Sequence, residues 1–204
     1  MAQAPPAIAV FCSGEGTNLQ AILDAVRAGR LRARVALVIS DRADAKALQR
    51  AARAGVEARC MRPADYPSRA AFERALIRVC EARRVRLICL AGFMRILSPI
   101  LVRRYRHRIL NIHPALLPAF PGAHAIRDAL RWGVTVTGVT VHLVDEEVDH
   151  GPIVLQEAVR IRPGDTETRL LARVHRVEHQ LYPQAIRLML EERVRIAGRR
   201  TYVL

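Results

Sequence analysis

Residues 7–12, Ala7-Ile8-Ala9-Val10-Phe11-Cys12, form an unbroken apolar run that stops at Ser13-Gly14. A short run without polar alternation marks a strand covered on both faces. A helix pattern follows from about Asn18, with Leu19, Ile22, Leu23 and Val26 on one face and Gly29 at its end. The alternation then repeats. Residues 33–40 read as a second strand, 41–54 as an alanine-rich helix closed by Gly55, and 56–61 as a short third strand. Ser68 caps a helix whose apolar face is Ala71, Phe72, Ala75, Leu76, Val79 and Cys80, and 86–90 is the next strand. Strands separated by helices of this length imply crossovers. The expected fold is α/β: a doubly wound, mostly parallel twisted sheet flanked by helices, Rossmann-like in layout. Ligands of such sheets bind beyond the carboxyl ends of the strands, and each notable motif here follows a strand.

The second half has a different texture. Ser98-Pro99 caps and opens a short helix through Val102 to Tyr105. Residues 109–113 form a strand, followed by a proline-rich loop containing Pro114, Pro118 and Pro121-Gly122. Residues 134–144 alternate as a two-faced strand, 153–161 form another, and a long helix runs from about 165 to 192, kinked at Pro183. No repeat, low-complexity tract or linker divides the chain, so a single domain over 1–204 is expected.

At 51% hydrophobic over 204 residues the chain can bury a full core, and with 4% aromatics that core must be aliphatic. No apolar run approaches the ~18–20 residues of a membrane span, and the start has neither a basic segment nor an apolar secretory stretch. No membrane partner is expected. Cys12, Cys60, Cys80 and Cys89 lack metal-type spacing and read as free thiols in a reducing cytoplasm. The net charge of +14 comes almost wholly from arginine, since Lys46 is the lone lysine. A compositional preference for arginine on solvated faces explains it, and so does attraction of an anionic partner. The basic residues are scattered, and the densest cluster, 103–108, carries one aromatic, which argues against nucleic acid.

Three groups of residues carry chemistry. Ser13-Gly14-Glu15-Gly16-Thr17-Asn18 joins a strand to a helix, where free N–H groups and the helix dipole favour a phosphate. Three readings stay open: a phosphate monoester site, a structural turn, or a nicotinamide dinucleotide site using Asp41. The dinucleotide fingerprint needs a small residue where Leu19 stands. Asn111 and His113, two apart on a strand, face one side of the sheet and must be satisfied or functional. Asp145, Glu146, Glu147 and Asp149 follow another strand, and Gly151-Pro152 forces a turn that fixes Asp149. An amide, an imidazole and a carboxylate are the groups that stabilise an oxyanion and move a proton. His142 reads as structural, and His124, His175 and His179 have no metal-ligand geometry, so no metal is expected.

With these motifs in view the chain resembles the phosphoribosylglycinamide formyltransferases over nearly its whole length. The likeness rests on Ser13 to Asn18, on Ala91-Gly92-Phe93-Met94-Arg95-Ile96-Leu97-Ser98-Pro99, on Asn111-Ile112-His113-Pro114 with Leu116-Leu117-Pro118, and on Asp149-His150-Gly151-Pro152. It implies formyl transfer from 10-formyltetrahydrofolate, a co-substrate, to the amine of 5-phosphoribosylglycinamide in purine biosynthesis. A phosphate-binding half would span about 7–90, and a folate-binding and catalytic half about 91–204. The resemblance implies catalytic roles for Asn111, His113 and Asp149. It implies substrate binding by Gly16, Thr17, Asn18, His175, Arg176, Val177 and Glu178. It implies folate binding by Arg69, Met94, Arg95, Ile96, Leu97, Asn111, Asp145, Glu146, Glu147, Val148 and Asp149. Asp149 beside His113 is expected to favour the imidazolium. The partners implied are small molecules, the enzyme acting as a monomer or weak homodimer. Departures include His150 between Asp149 and Gly151, and Ala119 after Leu116-Leu117-Pro118. The rivals are another formyl-folate transferase or hydrolase, and a basic nucleic-acid-binding module; the extra domains such relatives carry find no room here.

Overall fold

The computed structural model describes residues 4–204. Seven strands form one sheet: β1 (Ala7–Cys12), β2 (Arg34–Ser40), β3 (Ala58–Cys60), β4 (Val85–Leu90), β5 (Ile109–His113), β6 (Val136–Leu143) and β7 (Ile153–Arg160), in the order β3-β2-β1-β4-β5-β6-β7. β1 pairs in parallel with β2 and β4, β2 with β3, and β4 with β5. β6 and β7 are antiparallel additions at the far edge. The expected mostly parallel sheet is therefore present. Every residue of β1 is buried, as its unbroken apolar run requires.

Helices α1 (Thr17–Arg27), α2 (Lys46–Arg53), α3 (Arg69–Ala82), α4 (Pro99–Arg104), α5 (Ala125–Trp132) and α6 (Glu167–Leu190) cover the sheet. Two apolar clusters result. One joins alternate residues of β1 and β2 to α1 and α6, and the other joins the opposite residues to α3 and α4. The period-2 alternation of side chains sends Val10 to one layer and Phe11 to the other.

Several boundaries differ from expectation. The helix expected over 41–54 begins only at Lys46, because Asp41 is held at the end of β2 by other side chains. α5 follows the proline-rich loop in a stretch where no element is expected; its eight residues bury only Ala125, Ile126 and Ala129, too few for a clear period. Beyond α6, β8 (Val194–Ala197) and β9 (Arg200–Val203) form a hairpin that sequence reading missed. α6 runs continuously through Pro183.

α6 is tied to the sheet by Tyr182, fully buried, whose hydroxyl lies 2.9 Å from the Leu90 carbonyl and 3.1 Å from that of Leu110. Its hydrogen is shared between the ends of β4 and β5. Tyr182→Phe is expected to lower the unfolding free energy by about 1 kcal/mol, read from urea denaturation; an unchanged midpoint contradicts this tie.

Candidate active site

The carboxyl ends of β1, β4 and β5 open into a cleft of about 620 Å³. It lies where the strand order reverses between β1 and β4, the place where doubly wound sheets leave a crevice.

On one side stands the glycine loop. Gly16 adopts φ +70°, and a Cβ there would lie 2.8 Å from the Cα of Ala47, so only glycine lets α1 start this close to α2. Ser13 donates its hydroxyl to Asp41 Oδ1 at 2.7 Å, and Arg95 donates Nε–H to Asp41 Oδ2 at 2.8 Å. Both oxygens of Asp41 are engaged by the protein, which removes the carboxylate that a dinucleotide ribose requires. The Met94 amide donates to the Ser13 hydroxyl at 2.9 Å, lashing the 91–97 segment to the loop. Asn18 is buried and donates Nδ2–H to Glu178 Oε2 at 2.8 Å, while its Oδ1 has no partner. Burial raises the Glu178 carboxyl above its ordinary range, opposed by Asn18 and His175.

Opposite stand the three candidate catalytic groups. Asn111 lies directly across from His142 in the β5–β6 register, so their side chains meet on one face. The Asn111 Nδ2 lies 3.1 Å from His142 Nε2 and 3.4 Å from Asp149 Oδ1. His142 Nδ1 lies 2.9 Å from the Leu143 carbonyl, which requires the hydrogen on Nδ1, and Nε2 stands between Asn111 and Asp149, 3.6 Å from Asp149 Oδ1. His113 Nε2 donates to the Phe120 carbonyl at 2.8 Å, and its Nδ1 lies 3.5 Å from Asp149 Oδ2. Gly122 N–H donates to Asp149 Oδ2 at 2.8 Å. Thr140 fixes the intervening loop, donating to the Ala115 carbonyl and accepting from Leu117 N, beside a cis Leu117-Pro118 bond.

At His113 the expected pull of Asp149 toward the imidazolium is present, and burial opposes it. Burial lowers the His113 pKa below its ordinary value, outweighing Asp149 and the Phe120 carbonyl, which favour the charged ring. Asp149 is lowered too: burial pushes it up, but His142, the Gly122 amide and His113 together prevail. With Nε2 committed to Phe120, His113 carries a hydrogen on Nδ1 only as the imidazolium. Its depressed folded pKa gives stability that is complete above the unfolded value of about 6.5 and lost as pH falls through the folded value. An NMR titration is expected to place His113 below the ordinary range, and lower again in Asp149→Asn. An upward shift in that variant contradicts the pairing.

Most of the expected site residues meet in this one cleft: Gly16, Thr17 and Asn18, Met94 to Leu97, Asn111, His113, Asp145 to Asp149, His175 and Glu178 all line it. Three do not. Arg176 and Val177 turn away, because on a helix only His175 and Glu178 share a face; Arg176 is exposed and Val177 packs on the core. Arg69 stands behind the wall, donating to the Ile96 carbonyl at 2.6 Å and to Glu73. His142, read as structural, is the residue missed. Its signal was its place on a strand antiparallel to β5, opposite Asn111. Among the described residues no group of three His, Cys, Asp or Glu side chains is placed to hold a metal ion.

The fold and this cleft define an α/β enzyme of one family, and the chain belongs to it: residues 7–186 match the formyl transferase family. A solved glycinamide ribonucleotide transformylase 1 from Symbiobacterium toebii superposes with a TM-score of 0.97 at 54% identity, covering 100% of this chain and 96% of that one. The phosphoribosylglycinamide formyltransferase of Escherichia coli is 42% identical over 93% of this chain and 89% of its own length. The trifunctional purine biosynthetic protein adenosine-3 of Drosophila pseudoobscura pseudoobscura is 49% identical over 89% of this chain, which spans only 14% of that longer protein.

Proposed function

We propose that this chain transfers the formyl group of 10-formyltetrahydrofolate to the amine of 5-phosphoribosylglycinamide, a step of de novo purine biosynthesis in the cytoplasm. The observation that carries the reading is the shared cleft: the amide, imidazole and carboxylate face the glycine loop and Glu178 across one space. The first-turn N–H groups of α1 at Gly16, Thr17 and Asn18 receive the ribose phosphate, as helix N-termini receive anions. Glu178 and the unpartnered Asn18 Oδ1 take the glycinamide end. The wall suits a flat ring: Met94, Ile96 and Val148 are large apolar side chains left more than half exposed along the cleft. Arg95 and Leu97 complete that wall, and Arg69 braces it.

The reaction forms a bond between the amine nitrogen and the formyl carbon and breaks the bond from that carbon to the folate nitrogen. One proton passes from the amine to the departing nitrogen. Asn111 gives up its long contact to Asp149 and donates to the developing oxyanion. His113 donates from Nδ1, its imidazolium now favoured by the new negative charge. Both interactions strengthen in the transition state, the condition for acceleration. Asp149, oriented by Gly122 N–H, accepts the amine proton and passes it on. His142 holds the Asn111 amide in place.

The phosphate assignment predicts that glycinamide riboside, lacking the phosphate, has a KM at least about 100-fold higher than the ribonucleotide, followed by absorbance of the deformylated folate. Equal KM values contradict it. A basic nucleic-acid module is separated by the same preparation: salt-sensitive retention on DNA without retention on a folate analogue favours that rival.

A further inference from the structure

Asp149 sits at φ +52°, a left-handed backbone that costs a non-glycine residue about 1–3 kcal/mol and persists only where neighbours enforce it. Its carboxylate is held by Gly122 N–H, and Gly151 lies directly beneath the Leu143 carbonyl. The residue between, His150, is held from outside the sheet. His150 Nδ1 lies 2.7 Å from Asp145 Oδ2, which places its hydrogen on Nδ1 and leaves Nε2 an acceptor. Arg199 lays its Nη1 against the ring, 2.5 Å from Nε2 and 3.2 Å from Nδ1, and donates from Nη2 to the His150 carbonyl at 2.9 Å. Glu147, with Oε1 3.9 Å from Nδ1, is the other charged group facing the ring. Arg199 stands on the turn of the β8–β9 hairpin beside Gly198 at φ +60°. The hairpin is anchored, with Thr201 donating to the Ile153 carbonyl and Val194 and Ile196 packed on the core. It lies beyond residues 7–186, the part matched by the family.

We propose that Arg199 is a positioning residue for the 145–149 loop. By gripping the ring and the backbone carbonyl of His150 together, it holds the segment that presents Asp149 to Asn111 and His113. A lone exposed ion pair contributes little, but a guanidinium fixing backbone next to a strained residue acts on the geometry of the site itself. The kinetic consequence rests on the formyl-transfer reading; the structural one does not.

The test compares wild type, Arg199→Ala and Arg199→Lys in the full chain. In Arg199→Ala, amide hydrogen exchange over 145–151 is expected to quicken at least about fivefold, with β1 and β4 unchanged. The KM for formyl-folate rises and kcat falls, each about 3–10-fold, while the KM for the ribonucleotide stays constant. Arg199→Lys, which retains one donor group, recovers part of each change. Unchanged loop exchange overturns the proposal, as does quickening spread equally through β1 and β4. If wild type transfers no formyl group, the function reading fails, and loop exchange alone still decides the role of Arg199.

Discussion

Asn111→Ala and His113→Ala are each expected to reduce kcat by about 10²–10³-fold, with smaller changes in the KM for either substrate. The asymmetry follows from geometry. In the free enzyme the Asn111 amide is turned to His142 and Asp149, and His113 to the Phe120 carbonyl. In the proposed reaction each is freed from these contacts to donate chiefly when charge appears on the formyl oxygen, so the loss is expected in kcat. Asp149→Asn is expected to lose activity on a similar scale, for two reasons. The amide accepts no amine proton, and it no longer favours the imidazolium of His113, whose pKa burial already depresses. Stopped-flow turnover at saturating substrates decides the matter. Near-normal kcat in any of the three contradicts its assigned role.

Gly151→Ala is expected to combine a stability loss of about 3 kcal/mol with a fall in turnover of about 100-fold. A Cβ at Gly151 would lie 1.9 Å from the Leu143 carbonyl oxygen and 2.9 Å from its carbon. Both are backbone atoms at the end of β6, so no side chain can swing aside. The 149–151 segment must lift, and Asp149 moves with it. Gly14→Ala is the stability control, since nothing lies within 4 Å of a Cβ there. Thermal unfolding measures both variants. Equal melting temperatures contradict the close approach of this turn to β6.

The parallel core was legible because buried strands leave a plain mark: residues 7–12 and 86–90 have no polar alternation to hide them. Asn111 and His113 were legible as a pair because two-residue spacing on a strand fixes a common face. His142 was not, since its meaning depends on β6 running antiparallel in a register that seats it opposite Asn111. Arg176 and Val177 were carried along by proximity to Glu178, although helical rotation turns them away. The β8–β9 hairpin was not legible because each of its strands has only four residues, too few to show a period. Its significance lies in a contact across 49 positions of sequence, from Arg199 to His150, which no local pattern encodes.

The most direct measurement supplies 10-formyltetrahydrofolate carrying a ¹³C-labelled formyl group together with 5-phosphoribosylglycinamide, and follows the label by NMR. The label is expected to arrive on the glycinamide nitrogen in step with release of the deformylated folate. Label recovered as formate, or left on the folate, contradicts the proposed transfer.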